Sequence, residues 1–376
     1  MIVKNNTIEI FEPFELINGG VLPWIEISYE TYGNLNENKD NVILVCHYFS
    51  GDKHAAGRYD QTDEEAGWWD SIIGPGKALD TERFYIISTD ALSCVVNSHK
   101  VSSTSPRSIN PSTGTPFGME FPVITIQDMV KAQKLLMDKL EIDSIYAVLG
   151  PSMGGLQALS WAVLYPEMVS RCIPIAACDK LDSFSAFFPL RMGIQAIKSD
   201  HFFNNGQYYD KTEDEKPMQG LKNAINGLAL IARGRDWGDK ILGSRGFIEG
   251  KDPYNAIDNL YDFERNIIHG VAARASMYDP NSYIYISKAN ILFDLSNGFD
   301  DIDEAVNRTS CEFLFISEKN DIFVLPEAIK ALHEKCLYNG KISKHITFDS
   351  PVGHLGSVSH ANLFADELSE FLNRGV

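Results

Sequence analysis

The chain has 376 residues, of which 44% are hydrophobic and 22% charged, a composition typical of a soluble globular protein with a sizeable core. A formal net charge of −18 repels phosphate backbones and anionic lipid, so neither nucleic acid nor a membrane is an expected partner. The 6 cysteines show no CxxC or other metal-like spacing, which indicates reduced thiols in a cytoplasmic protein without a metal site. The N-terminus lacks the apolar segment of a signal peptide.

The first part of the chain predicts strands that alternate with helices. After a β-rich start, short apolar runs predict strands at 42–46 (VILVC), 84–88 (FYIIS), 145–149 (IYAVL) and 172–176. Helical spacing of apolar residues predicts helices over 126–140 and 154–165, and residues 91–122 are predicted to form a long ordered loop. The uncharged stretch between Asp143 and Glu167 contains Gly150-Pro151 and Gly154-Gly155, which favours a buried strand, turn and helix over a membrane helix.

The alternation stops in the middle of the chain and then resumes. Residues 180–300 show mostly helical patterns, whereas strands return at 312–317 and 345–348, with helices at 326–337 and 361–373. We therefore predict an α/β core formed by residues 1–179 and 301–376, with a mostly parallel sheet flanked by helices. Residues 180–300 would form an inserted helical lid.

The segment around Ser152 carries the clearest chemical signal. It has the pattern G-x-S-x-G between a predicted strand and a predicted helix, which is the nucleophile elbow of the α/β-hydrolase fold. The glycines allow a strained turn and a close approach of the neighbouring elements. The helix N-terminus favours negative charge that develops near the serine. The sequence therefore predicts that Ser152 is a nucleophile.

A serine hydroxyl needs a base and an acid that orients the base. In this fold the order along the chain is nucleophile, acid, histidine. His354 follows the last predicted strand and precedes the last helix, so we predict that it is the base. Asp321 follows the strand at 312–317 and is the predicted acid, with Glu318 as a rival and Asp349 as a weaker one.

The oxyanion hole requires two backbone N–H groups. Met153, directly after the nucleophile, is predicted to supply one of them. The loop after the strand at 42–46 is predicted to supply the other, from Phe49 or Tyr48.

Segments spread over nearly the whole length of the chain form a wider pattern. These segments are Ser28–Gly33 (SYETYG), His47–Gly57 (HYFSGDKHAAG), Gly67–Lys77 (GWWDSIIGPGK), Ser108–Pro111 (SINP), Phe121–Val130 (FPVITIQDMV), Pro151–Gln157 (PSMGGLQ), Asp279–Tyr285 (DPNSYIY) and Ser350–His354 (SPVGH). Through them the chain resembles the homoserine O-acetyltransferase family of the α/β-hydrolase superfamily. The combination is specific, whereas each segment alone is not.

The resemblance implies a ping-pong acyl transfer from acetyl-CoA, a co-substrate rather than a bound cofactor, through Ser152 to the hydroxyl of homoserine. It also implies that Phe49 and Met153 are the oxyanion donors and that the lid forms a tunnel to Ser152 and a homodimer contact. The expected partners are therefore small molecules and a second copy of the chain. Lid arginines such as Arg191 and Arg233 could meet the CoA phosphates or simply face solvent. Lid aromatic residues such as Tyr209 could line the tunnel or pack in the lid core.

Three departures from the family pattern concern the acceptor. Leu355 stands where the family usually has an acidic residue that helps to hold the acceptor, and a leucine cannot hold an ammonium group. By our alignment the family's carboxylate-binding arginine falls at Ile194, and Arg191 lies about one turn earlier. The loop at 93–106 lacks the family's glycines, so its backbone is expected to differ. Arg191, Tyr209 and Leu355 are therefore the candidate substrate-binding residues.

Three functions are compatible with these residues. The first is acyl transfer from acetyl-CoA to homoserine or a similar hydroxy amino acid, with succinyl-CoA as a variant donor. The second is hydrolysis of esters or thioesters by the same three side chains, since exclusion of water separates the two reactions. The third is a binding protein without catalysis, which the presence of all three side chains disfavours.

Overall fold

The computed structural model describes residues 1–97, 102–241 and 245–374. Its centre is an eight-stranded sheet with the spatial order β1-β2-β4-β3-β5-β6-β7-β8. In chain order the strands are Asn6–Ile10 (β1), Ile25–Tyr32 (β2), Val42–Cys46 (β3), Tyr85–Thr89 (β4), Ala147–Pro151 (β5), Arg171–Ile175 (β6), Glu312–Glu318 (β7) and Ser343–Phe348 (β8). The pairs β1–β2 and β2–β4 are antiparallel and the other pairs are parallel, so the mostly parallel sheet is confirmed.

The register of the parallel strands aligns their carboxyl ends at one edge of the sheet. Cys46 pairs with Thr89, Pro151 with Ile175, and Glu318 with Phe348. The loops that follow these strands therefore meet at this edge, where ligands of open α/β sheets bind.

Helices cover the sheet on both faces. In the part of the chain before β7 they are Ile126–Lys139 (α1) and Met153–Leu164 (α2), and after β7 they are Pro326–Tyr338 (α8) and Ala365–Leu372 (α9). Thr125 begins α1 with a reciprocal capping box, since its side chain accepts from the Asp128 N–H and the Asp128 carboxylate accepts from the Thr125 N–H. The apolar core forms two clusters. Trp161 is fully buried in one of them, and Trp69 is fully buried in the other.

The segment between β6 and β7 is helical. It contains the short helix Ser183–Ser185, the π-helical turn Ala186–Arg191, and the helices Met192–Lys198 (α3), Met218–Ile241 (α4), Asp262–Ala275 (α5), Pro280–Ile291 (α6) and Ile302–Arg308 (α7). Helix α4 is interrupted at Gly234, whose φ of 68° only glycine adopts readily. We call residues 180–300 of this segment the lid, so α7 belongs to the core, and this division stays a prediction.

Element boundaries differ from the sequence predictions by one or two residues at several points. The strand predicted at 145–149 is found at Ala147–Pro151, and the helix predicted at 361–373 is a 3₁₀ turn, Ala361–Phe364, followed by α9. In the loop predicted to differ from the family, Ser93 has a φ of 62°, the region that glycine prefers, while residues 98–101 lie outside the described residues. No helix within the described ranges has both the length and the apolar character needed to cross a bilayer.

Candidate active site

The turn after β5 holds Ser152 in a strained conformation at the entrance to α2. Its φ of 55° and ψ of −121° lie outside the regions favoured by residues with a side chain. The Ser152 N–H donates to the Ile175 carbonyl across the sheet at 2.8 Å, which fixes the turn. The hydroxyl is therefore presented at the carboxyl edge of the sheet and at the first turn of α2.

The glycines beside Ser152 permit close packing against β3. A Cβ at Gly150 would lie 2.2 Å from the Cys46 carbonyl oxygen, and one at Gly154 would lie 2.1 Å from the same atom. A Cβ at Gly155 would lie 2.5 Å from the Ala177 Cβ. These distances are shorter than van der Waals contact, so the G-x-S-x-G pattern is a steric requirement of this turn.

The structure brings the three predicted triad side chains into contact. The Ser152 Oγ lies 2.8 Å from His354 Nε2, and His354 Nδ1 lies 2.5 Å from Asp321 Oδ2. His354 and Asp321 are buried, at 5% and 2% exposure, so the hydrogen bond between them is shielded from water. A proton held on Nδ1 by Asp321 leaves Nε2 able to accept the serine proton.

His354 and Asp321 are each held in position by contacts within their own loops. The other oxygen of Asp321, Oδ1, accepts from the Phe323 and Val324 N–H groups at 2.8 and 2.9 Å. The Phe323 ring packs edge-on against the His354 ring, with centroids 5.0 Å apart. The Ser357 hydroxyl donates to the His354 carbonyl. The geometry therefore restrains the carboxylate and the imidazole before any substrate binds.

The two rival acids, Glu318 and Asp349, are held by partners other than His354. Glu318 is buried and accepts from the N–H groups of Asn320 and Ser350, so it ties the loop after β7 to the loop after β8. Burial raises the pKa of this carboxyl group. Asp349 is exposed and pairs with Lys319. The carboxylate in hydrogen-bond contact with His354 is that of Asp321.

A cavity opens beside Ser152 and His354 and is mostly apolar. Tyr48, Phe49, Phe323 and Leu355 contribute to its wall, together with the lid residues Ile225, Leu228, Ala229, Ala232, Tyr278 and Tyr283. Two arginines from different lid helices, Arg233 of α4 and Arg274 of α5, also line it. Burial, and then the nearby Arg274 charge, lower the pKa of the Arg233 guanidinium.

The structure does not bring all predicted substrate-binding residues to this cavity. Leu355 is in its wall, whereas Arg191 is exposed on the π-helical turn and does not line it. Tyr209 is partly buried in a lid network, where its hydroxyl donates to Asp279 and accepts from Asn281. Tyr209 thus packs in the lid core, the alternative that the aromatic pattern also allowed.

Arg274 was missed by the sequence reasoning, and Arg233 was considered only for CoA phosphates. They lie on separate lid helices, and no spacing along the chain relates them. Their shared cavity is a product of how α4 and α5 pack.

The cysteines are all unpaired and buried. Burial raises the pKa of the Cys46 and Cys178 thiols to about 12, so neither is a thiolate near neutral pH. The hydroxyl of Ser152, by contrast, is in hydrogen-bond contact with a histidine.

Comparisons with known proteins identify the fold and the family of the chain. Residues 42–223 match the α/β-hydrolase fold family. A homoserine O-acetyltransferase of Deferribacter desulfuricans is 36% identical over 99% of this chain and 96% of its own length. A homoserine O-succinyltransferase of Paraburkholderia phytofirmans is 36% identical over 94% of this chain and 92% of its own.

Two crystal structures are similar over the whole chain. That of a homoserine O-acetyltransferase from Bacillus anthracis has a TM-score of 0.94 at 35% identity and covers 100% of this chain and 98% of that one. That of esterase E22 has a TM-score of 0.92 at 34% identity and covers 99% of this chain and 100% of that one. The fold, the elbow and these full-length similarities agree, and this chain belongs to the homoserine O-acetyltransferase family of the α/β-hydrolase superfamily.

Proposed function

We propose that this protein transfers an acetyl group from acetyl-CoA to the hydroxyl of homoserine or a similar hydroxy amino acid, through an acyl-enzyme on Ser152. The main support for the proposal is the geometry at the wall of the cavity, where Ser152 is hydrogen-bonded to His354 and His354 to Asp321. Curated relatives of the same length are named homoserine O-acetyltransferase, which supports the choice of acceptor.

In the first half-reaction Ser152 Oγ attacks the thioester carbonyl while His354 Nε2 takes the hydroxyl proton. Asp321 stabilises the imidazolium that forms. The C–S bond then breaks, and His354 returns the proton to the departing thiolate. The products are CoA thiol and an acetyl ester on Ser152.

In the second half-reaction the acceptor hydroxyl gives its proton to His354 and attacks the acetyl ester. The bond to Ser152 Oγ breaks, and His354 returns the proton to that oxygen. The same base thus serves both halves, and the acceptor competes with water for the acyl-enzyme.

The backbone N–H groups of Phe49 and Met153 are the proposed oxyanion donors. Neither N–H has a hydrogen-bond acceptor among the residues that the structure describes. Phe49 lines the cavity beside Ser152, and Met153 begins α2. An oxyanion would therefore gain donors that form no competing bond within the described chain.

Arg233 and Arg274 are the proposed sites for an anionic group of the substrate. Carboxylates and phosphates both match the planar guanidinium, so the acceptor carboxylate and the CoA phosphates are the candidate ligands. Either anion would offset the two neighbouring positive charges in this apolar cavity.

The intact mass of the enzyme tests the covalent route. On mixing with acetyl-CoA alone, we expect a mass increase of one acetyl group, lost again when homoserine is added. Succinyl-CoA in a parallel sample tests the other donor, since one curated relative is named a homoserine O-succinyltransferase. An unchanged mass with both donors, together with sequential kinetics, would contradict the acyl-enzyme.

Ester hydrolysis is the second candidate function, and Leu355 is the observation that favours it. Leu355 lines the cavity directly after His354 and offers no charge to an amino-acid ammonium group. An esterase structure also resembles this chain over its whole length. Activity with water as the sole acceptor would favour this candidate in an assay that compares homoserine, serine and water.

The substitution Leu355→Asp is expected to favour transfer to homoserine. A carboxylate here would pair with the acceptor ammonium, and one charge-assisted contact corresponds to roughly a 10-fold gain in the ratio of transfer to hydrolysis. The measurement is product partitioning from one acyl donor, with Leu355→Asn as the isosteric uncharged control. An equal gain in the Asn variant would show that charge is not the cause.

A homodimer formed through the lid is part of the same proposal. Four apolar side chains near the start of the lid, Phe184, Phe187, Phe188 and Met192, are each about half exposed. Grouped exposed apolar side chains of this kind favour association.

A further inference from the structure

His47 lies at the beginning of the loop that follows β3, and its ring is fully buried. Both ring nitrogens have hydrogen-bond partners. Nδ1 lies 2.7 Å from the Tyr48 carbonyl oxygen, and the Ala91 N–H donates to Nε2 at 2.9 Å. The ring therefore connects the loop after β3 to the segment that follows β4.

These two contacts determine the protonation state of the ring. A carbonyl oxygen only accepts, so Nδ1 carries a proton, and the amide N–H only donates, so Nε2 carries none. His47 is accordingly the neutral Nδ1–H tautomer. Burial lowers the pKa of this imidazole, which keeps the neutral form at physiological pH.

The Tyr48 carbonyl belongs to the same peptide unit as the Phe49 N–H. The unit is planar and trans, so its N–H points away from its C=O. The carbonyl accepts from His47 Nδ1 and also from the Gly51 N–H at 3.0 Å. Two donors on the carbonyl fix the plane of the peptide and thereby the direction of the Phe49 N–H. Hydrogen bonds to the carbonyl also polarise the peptide, which makes its N–H a stronger donor.

The segment that carries Ala91 is anchored to the same loop by a buried ion pair. Lys53 Nζ lies 3.2 Å from Asp90 Oδ2, and the Lys53 N–H donates to Asp90 Oδ1 at 2.7 Å. Lys53 has no exposed side-chain surface, and Asp90 has 1%. This pair holds the Ala91 amide in reach of His47.

His47, Asp90 and Cys94 also place three potential ligand atoms within 4.8 Å of one another. The hydrogen bonds explain the group without a metal, because Ala91 occupies the free lone pair of His47 and Lys53 occupies both Asp90 oxygens.

We propose that His47 is a positioning residue for the oxyanion hole, and that its Nδ1–H directs the Tyr48–Phe49 peptide so that the Phe49 N–H faces the tetrahedral intermediate. This inference rests on the proposed function, because it requires acyl chemistry at Ser152. His47 acts through the peptide and does not itself touch the substrate.

Two variants separate the two hydrogen bonds of the ring. His47→Asn places an amide N–H near the position of Nδ1 and keeps the donor to the Tyr48 carbonyl. His47→Gln places its amide near Nε2, so it keeps a partner for Ala91 and loses that donor. Both remove one buried hydrogen bond, and Asn, which is one methylene smaller than Gln, leaves the larger cavity, so the Asn variant should lose at least as much stability as the Gln variant.

The kinetic results are expected to differ. For hydrolysis of an aryl acetate, we expect kcat of the Gln variant to fall roughly 10- to 100-fold with KM little changed, because the oxyanion donor acts mainly in the transition state. The Asn variant should keep kcat within about 3-fold of the wild-type value, since the donor to Tyr48 remains. The Gln variant should also bind a trifluoromethyl ketone, which mimics the tetrahedral intermediate, more weakly by a similar factor.

His54→Gln is the control for a purely structural loss in the same segment. His54 Nδ1 contacts Glu30 rather than a peptide of the oxyanion loop, so this variant should lose stability and keep kcat. Equal kcat in the Asn and Gln variants of His47, or a greater loss in the Asn variant, overturns the proposal.

A measurement on the unmodified enzyme covers the case in which a variant does not fold. Nitrogen-15 spectra of histidine-labelled protein should contain the Nδ1–H ring of His354, which is identified because its signals change when the trifluoromethyl ketone binds Ser152, and a second neutral Nδ1–H ring that does not titrate between about pH 5 and 8. If every neutral ring other than that of His354 is the Nε2–H tautomer, the inference is wrong. Failure of the proposed function would instead appear as a wild-type enzyme that is never acylated by any ester or thioester.

Discussion

Replacement of Ser152 by alanine is expected to abolish turnover, with kcat reduced by about 10³- to 10⁶-fold. The change removes the Oγ atom that carries the acyl group in the proposed mechanism, and no other hydroxyl is in contact with His354 Nε2 in the described structure. Stability should change little, because alanine accepts the same strained φ as serine. The measurements are kcat with an aryl ester and the midpoint of thermal unfolding.

Ser160→Ala is a matched control on the same helix. The Ser160 hydroxyl donates to the Leu156 carbonyl within α2 and lies in the core, away from the cavity wall. This variant should retain the wild-type kcat. If Ser152→Ala retains its activity as well, Ser152 is not the nucleophile and the proposed mechanism is wrong.

The substitution Asp321→Asn is expected to lower kcat by about 10³- to 10⁴-fold while the fold is retained. An asparagine oxygen can still accept from the Phe323 and Val324 N–H groups. Its amide would then present N–H donors to His354 Nδ1 and stabilise the Nε2–H tautomer. That tautomer cannot accept the Ser152 proton, so acylation should fail at the proton transfer.

Glu318→Gln provides the comparison for the rival acid. Glu318 joins the loops after β7 and β8 through the Asn320 and Ser350 N–H groups, so its replacement should reduce stability by about 1–3 kcal/mol and affect kcat much less. Single-turnover acylation and urea unfolding of both variants measure the two effects. The reverse pattern, with Glu318→Gln inactive and Asp321→Asn active, would assign the acid to Glu318.

The agreement between sequence and structure is closest where local pattern controls the backbone. The run 42–46 forms β3 with the predicted bounds, because a short apolar run in the middle of a sheet has both faces buried. The elbow could be recognised for a similar reason, since Gly150 and Gly154 have no space for a side chain against Cys46. Predicted bounds were less accurate at 361–373, where a 3₁₀ turn precedes the helix.

The candidate substrate-binding residues show where local pattern is insufficient. Arg191 was selected by its distance along the chain from Ile194, yet the π-helical turn leaves it exposed and away from the cavity. Tyr209 satisfies its hydroxyl with Asp279 inside the lid. Arg233 and Arg274 reach the cavity because α4 and α5 pack over it. Helix α4 ends at Ile241 and α5 begins at Asp262, so the relative placement of these two helices depends on packing rather than on spacing.

The sequence by itself determined the strand–turn–helix around Ser152 and the family to which the chain belongs, and it predicted the order of nucleophile, acid and histidine along the chain. These features depend on short-range sterics and on motif order, which a linear chain displays directly. Tertiary structure alone decided which carboxylate meets His354, which arginines face the cavity, and that His47 holds the Tyr48 carbonyl. Each of these is a contact between residues on different loops or helices, and such contacts exist only after the sheet edge has brought the loops together.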